Sequence, residues 1–147
     1  MELLRRGWRV LALDGQAEGI RRLRARVPDD ADLETEVVRF EDARWPEADL
    51  VNSSFALPFC PPEHFDDVWQ RVRGSIVAGG RFSGHLFGDR DGWVGTRDMT
   101  FHSPTDAKAL LRGLELERFD EVEEDGQTAT GNAKHWHVFH VVAHRPN

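Results

Sequence analysis

Apolar and polar positions change period several times along the chain, and each change marks an element. Glu2 to Arg6 reads as the tail of a helix closed by Gly7. Trp8-Arg-Val-Leu-Ala-Leu-Asp14 has the pattern of a buried strand ending in a carboxylate. After Gly15, the spacing of Ile20, Leu23 and Val27 predicts a helix over 16–27, stopped by Pro28, Asp29 and Asp30. Leu33 to Phe40 alternates imperfectly, as an edge strand does, and ends in Glu41-Asp42-Ala43. A Trp45-Pro46 turn precedes a strand over 48–55. Pro61 and Pro62 lead into a helix over 63–77, whose Phe65, Val68, Trp69, Val72 and Ile76 form one apolar face suited to covering a sheet. Gly79-Gly80 then turns the chain into a strand over 81–87.

The second half changes character. Residues 88–95 form a polar, glycine-rich connection that exposes Trp93. A helix over 104–113 follows, with Ser103 as N-cap, Pro104 in its first turn and Gly113 as its stop. Residues 116–124 and 136–143 read as two strands separated by Asp125-Gly126 and a polar stretch. Strand–helix alternation with this paired ending predicts an α/β sheet with an antiparallel C-terminal edge. Residues 8–14, 49–55 and 81–87 are expected to be its central strands, with Trp8 and Trp69 as packing residues. No linker composition or repeat divides the chain, so residues 1–147 are expected to form a single domain.

Composition narrows the partners. The 147 residues are 39% hydrophobic and 31% charged, with a formal net charge of -7. That balance disfavours nucleic acid, which needs a concentrated basic surface. Arg21, Arg22, Arg24 and Arg26 fall at helical spacing among apolar residues, as a solvated helix face would. No apolar run approaches membrane-spanning length, and the lone Cys60 excludes an intrachain disulfide, so a cytoplasmic location is expected. The seven histidines show no recognised ligand spacing, and no metal is expected. Gly79-Gly80 lacks the glycine spacing and lysine of a phosphate loop.

The chemistry begins at Asp14. A carboxylate at the tip of a parallel strand can accept both ribose hydroxyls of an adenosine-containing cofactor. A preceding strand and glycine-rich turn would wrap the rest of such a cofactor, yet only seven residues stand before Trp8.

Gly7-Trp-Arg-Val-Leu-Ala-Leu-Asp14, Phe40-Glu-Asp-Ala43, Asp49-Leu-Val-Asn-Ser-Ser-Phe-Ala-Leu-Pro-Phe59 and Val77-Ala-Gly-Gly-Arg-Phe82, in that order, make the chain resemble class I S-adenosylmethionine-dependent methyltransferases. The nearest type is the small bacterial one related to tellurite-resistance and thiopurine methyltransferase-like proteins. The resemblance implies a truncated Rossmann-like sheet with helices on both faces, S-adenosylmethionine as cofactor and a small-molecule methyl acceptor. It assigns Asp14 to the ribose hydroxyls, Asp42 to the adenine amino group and Ala43 to backbone contact with the ring. It places Asn52, Ser53 and Ser54 beside the methyl-transfer centre, with Phe55 against the cofactor.

Two further expectations concern activity. In the family a glycine-rich turn follows a strand lying between those that end at Asp14 and near Ser54. Without that turn, the 147-residue form is expected to bind cofactor weakly or not at all and to show no robust turnover. A start placed too far downstream, a fragment, or direct pairing of the remaining strands would each account for the short form. Trp93, Met99, Phe101 and His102 are expected to form a movable cover near His135 and His137. A neutral histidine at either of those two positions can take the acceptor's proton; the alternative is a polar strand beginning with a packed tryptophan. A nicotinamide-dependent reductase is disfavoured by the lack of a dinucleotide fingerprint and of any tyrosine. The competing class is a noncatalytic ligand-binding or dimerisation module, with a homodimer covering exposed sheet.

Overall fold

In the computed structural model, which describes all 147 residues, the strands form two separate sheets. The chain divides into two units, Met1–Trp45 and Pro46–Asn147. In the first, helix α1 (Glu2–Arg5) ends just before Gly7 and leads to strand β1 (Val10–Asp14), helix α2 (Ala17–Arg24) and strand β2 (Leu33–Val37). β1 and β2 pair in parallel from Val10↔Leu33 to Asp14↔Val37. The crossover helix is amphipathic: Glu18 bonds Arg21 and Arg22 on its wet side, while Ile20 and Leu23 are half-buried.

This corrects the expected central position of residues 8–14. β1 pairs with β2 alone, and no residue of β1 is buried. Leu11 remains 37% exposed and Trp8 39%, so Trp8 is not a core packing residue. Residues 49–55 and 81–87 do share a sheet, but β1 is outside it. Direct pairing of the strands flanking the expected gap does not occur.

The second unit contains β3 (Ala48–Ser53), a 3-10 turn at Leu57–Phe59, α3 (Pro62–Ser75), β4 (Ile76–Gly88), the short β5 (Phe101–His102), α4 (Pro104–Leu110), β6 (Glu115–Gln127) and β7 (Ala133–His144). Strand order is β3-β4-β7-β6, with β5 also on β4. β3 and β5 run parallel to β4; β7 is antiparallel to both β4 and β6. The alternating α/β pattern and antiparallel C-terminal edge therefore hold.

Phe65, Val68, Trp69 and Val72 form the buried face of α3. Trp69 meets Phe82 edge-on at 5.1 Å, and its indole N–H donates to the Leu110 carbonyl at 3.0 Å. That bond satisfies the polar end of a side chain otherwise suited to the core. α4 is capped as expected, with Ser103 Oγ accepting from the Asp106 N–H.

Several boundaries differ from expectation. α2 and β2 are shorter, at 17–24 and 33–37, and α4 stops at Leu110 before a further turn. Ile76 and Val77 belong to β4, and Gly79-Gly80 forms an irregularity inside that strand. Gly79 takes a positive φ of 75°, while a side chain at Gly80 would press on the Asp49 carbonyl of β3. Asp125 and Gly126 lie within the β6–β7 ladder; the reversal falls at Thr128–Asn132 instead.

Candidate functional site

In the first unit, Asp14 sits exposed at the C-terminal tip of β1. Its Oδ1 accepts the Gln16 N–H at 2.7 Å, and a side chain at Gly19 would collide with the carboxylate. The carboxylate is thus held over the start of α2. Asp42 is exposed in the turn after β2, whereas Ala43 is buried. The Ala43 N–H donates to the Arg39 carbonyl, and its carbonyl accepts from Arg44. Backbone contact from Ala43 to a ligand therefore competes with bonds that shape its own turn.

In the second unit, Asn52 to Phe55 occupy the C-terminal tip of β3, the end of a parallel sheet where ligands bind in open α/β folds. Asn52 is exposed. Ser53 Oγ accepts the Leu57 N–H at 3.0 Å and so shapes the following 3-10 turn. Phe55 is the only non-glycine residue with positive φ, at 51°. Bulky residues rarely occupy that region, and strain of this kind concentrates at functional sites. Two contacts hold it: the Phe55 N–H donates to His85 Nδ1 at 3.3 Å, and the rings stack with centroids 4.0 Å apart.

Sequence reading missed His85 and its cross-strand partner His140. Ser54 Oγ lies 3.4 Å from His85 Nδ1, and His85 Nε2 lies 3.0 Å from His140 Nδ1. Because Nδ1 of His85 receives the Phe55 N–H, its proton belongs on Nε2, which donates to His140. Burial, reinforced by His140 and Arg118, lowers the His85 pKa. Beyond this chain, Phe55, Val122, Glu124, Trp136, Val138 and His140 line a shallow cleft of about 200 Å³. The cross-strand pairing and alternation that link His85 to His140 were the available signal.

His135 and His137 share one face of β7, as alternation requires, but the cleft residues Trp136, Val138 and His140 occupy the other. His135 is held between Asp125 at 2.7 Å and Glu123 at 3.1 Å, which raise its pKa. His137 is fully buried. Its Nδ1 accepts the Arg90 N–H, and Nε2 lies 3.0 Å from a Glu121 oxygen. Any side chain at Gly88 would overlap the His137 ring. Arg90 also bonds Glu121 and Glu123, and it leads the causes that push the Glu123 carboxyl down to about 2. Both histidines thus have their ring nitrogens engaged in a structural network.

The residues of the expected cover pack against the second unit's sheet. Met99 is buried, and Phe101 pairs with Phe87. Trp93 is half-buried because Asp91 and Lys134 fasten its loop to β7. Lys134 Nζ contacts the Asp91 carboxylate oxygens at 2.5 and 2.7 Å, while Asp91 also accepts the Trp93 and His137 N–H groups. The ammonium lies 3.5 Å from the Trp136 ring centre and 4.3 Å from that of Trp93. Burial lowers the Lys134 pKa, opposed by Asp91.

Several solved methyltransferases share this architecture. TehB from Haemophilus influenzae superposes with a TM-score of 0.78 and 14% identity, covering 95% of this chain and 50% of TehB. An S-adenosylmethionine-dependent methyltransferase from Methanosarcina mazei gives 0.69 and 17%, covering 99% of this chain and 85% of that one. The N-methyltransferase NodS from Bradyrhizobium japonicum, solved with S-adenosyl-L-homocysteine, gives 0.71 and 14%, covering 95% and 67%. No family model and no curated protein matches the sequence. The chain has the fold of class I S-adenosylmethionine-dependent methyltransferases and spans half the length of TehB. No helix is long and apolar enough to cross a membrane.

Proposed function

We propose that the two units are parts of one methyltransferase-like domain, whose intact form transfers a methyl group from S-adenosylmethionine to a small-molecule acceptor in the cytoplasm. The strand order supports this reading most strongly. Within the first unit β1 and β2 pair in parallel across a crossover helix, and within the second the order β3-β4-β7-β6 carries the antiparallel C-terminal edge. Asp14 and Asp42 serve the ribose and adenine, with Ala43 against the ring. Asn52, Ser54 and Phe55 border the methyl-transfer side, and Ser53 shapes their turn. The sulfonium methyl is already activated, so the protein's main task is alignment. In this reading His137 holds the 89–93 loop through Arg90, and His135 braces Glu123 and Asp125 of β6.

The 147-residue chain binds this cofactor weakly or not at all. One charge-assisted contact contributes about 1.5–3 kcal/mol net, too little for Asp14 to hold the cofactor by itself. Calorimetry with S-adenosylmethionine should show no saturable binding for this chain. A version extended by a strand and glycine-rich turn should bind, and Asp14→Ala should weaken that binding more than Asp42→Ala, with circular dichroism unchanged. Tight binding by the monomeric 147-residue chain, or no effect of either substitution, would overturn the assignment. A second reading, a noncatalytic dimerisation module, is favoured by the one-sided pairing of β1 and the exposure of Leu11 and Val37. A stable dimer without nucleotide affinity, seen by sedimentation and calorimetry, would support it over methyl transfer.

A further inference from the structure

We infer that the cleft between Phe55 and β6–β7 binds a small planar aromatic amine, which under the methyl-transfer reading is the acceptor. Its volume of about 200 Å³ falls below the roughly 300–1,000 Å³ of pockets for drug-sized ligands, so one or two rings suit it. Val122 and Val138 supply apolar surface, and the Phe55 and Trp136 rings meet edge-on with centroids 6.2 Å apart. This arrangement favours a flat, polarizable ligand over an alkyl chain. The polar side chains of the lining are Glu124 and His140. The Glu124 carboxylate offers acceptors and no donor, so it selects N–H donors, most strongly a planar cation able to make two parallel bonds. His140 Nδ1 is held by His85, leaving the other ring nitrogen to meet a ligand.

The two aromatic walls are also held in place. Lys134 lies over Trp136. Phe55 keeps its unfavourable φ through its backbone bond to and stacking on His85. A rigid wall reduces the ordering cost of binding. The edge of the cleft thus carries the strained residue, while His85 supports both Phe55 and His140.

The test titrates the 147-residue protein, without S-adenosylmethionine, with 2-aminoquinoline, quinoline and hexylamine, followed by calorimetry and the Trp136 indole N–H resonance. 2-Aminoquinoline should shift that resonance and bind about tenfold more tightly than quinoline, as expected for a charge-assisted contact. Hexylamine should leave it unmoved. Phe55→Gly suits the positive φ and should preserve the remaining spectrum while weakening 2-aminoquinoline binding about tenfold. Glu124→Gln should reduce 2-aminoquinoline to the affinity of quinoline. An unmoved Trp136 resonance, equal binding of hexylamine, or unchanged affinity in both variants would overturn the inference. These titrations involve no cofactor. Probe binding therefore survives failure of the methyl-transfer reading, and its loss leaves the cofactor test standing.

Discussion

The two units are built from the same strand–helix–strand pattern, yet they bury very different cores. Met1–Trp45 closes a two-stranded parallel sheet, and Val27, Leu33 and Ala43 are its buried apolar residues. In Pro46–Asn147, β7 and β6 extend the sheet beyond β4, and Trp69, Phe82, Leu86, Phe87 and Phe139 are almost fully buried. The contrast teaches that periodicity sets local structure, while the number of strands that pair determines how much apolar surface leaves water. A two-stranded sheet is marginal by itself.

Removing a core aromatic should expose this difference most strongly. Trp69→Ala should destabilise the second unit by about 4 kcal/mol, through lost transfer energy and a residual cavity. Urea unfolding followed by circular dichroism measures the loss. The half-exposed Leu11→Ala should cost about 1 kcal/mol or less; an equal loss would erase the contrast.

Next comes the buried ion pair. Asp91→Ala leaves the Lys134 ammonium without its carboxylate and should cost about 3 kcal/mol, whereas Asp91→Leu with Lys134→Met should recover much of that loss. The same unfolding experiment compares the single and double variants. Equal destabilisation in both would show that shape rather than unpaired charge governs the site.

The exposed carboxylate–histidine network should have a smaller effect, evident in melts across pH at low salt. The folded pKa of His135 is raised, so its contribution is fully present below its unfolded value of about 6.5 and disappears as pH rises through the folded value. Glu123 is lowered to about 2, so its contribution is present above its unfolded value of about 4.3 and disappears as pH falls through about 2. His135→Gln should flatten the alkaline limb, and added salt should weaken both limbs. An unchanged alkaline limb would remove His135 from the linkage. Smallest of all, Val37→Thr on exposed β2 should remain within about 0.5 kcal/mol of the parent in urea unfolding.

Much of the second unit was legible because its signals were local. The apolar spacing of Phe65, Val68, Trp69 and Val72 identified the buried face of α3, and Ser103 identified the start of α4. Alternation also separated His135 and His137 from Trp136 correctly. It did not reveal which face formed the cleft or which nitrogens were already bonded. Those features depend on β6 supplying Glu121, Glu123 and Asp125 opposite β7, and on the 89–93 loop bringing Arg90 against His137. The same limitation explains β1: Trp8 to Asp14 has a buried-strand composition, but burial requires neighbours that local alternation cannot identify.

Native-state hydrogen exchange tests the contrast between the units most directly. The amides that bond β4 to β7 should open only with unfolding of the second unit, while those bonding β1 to β2 should exchange at least about 100-fold faster through local opening. Equal protection across both sheets, with a common dependence on urea, would contradict this and show that all 147 residues unfold as one cooperative body.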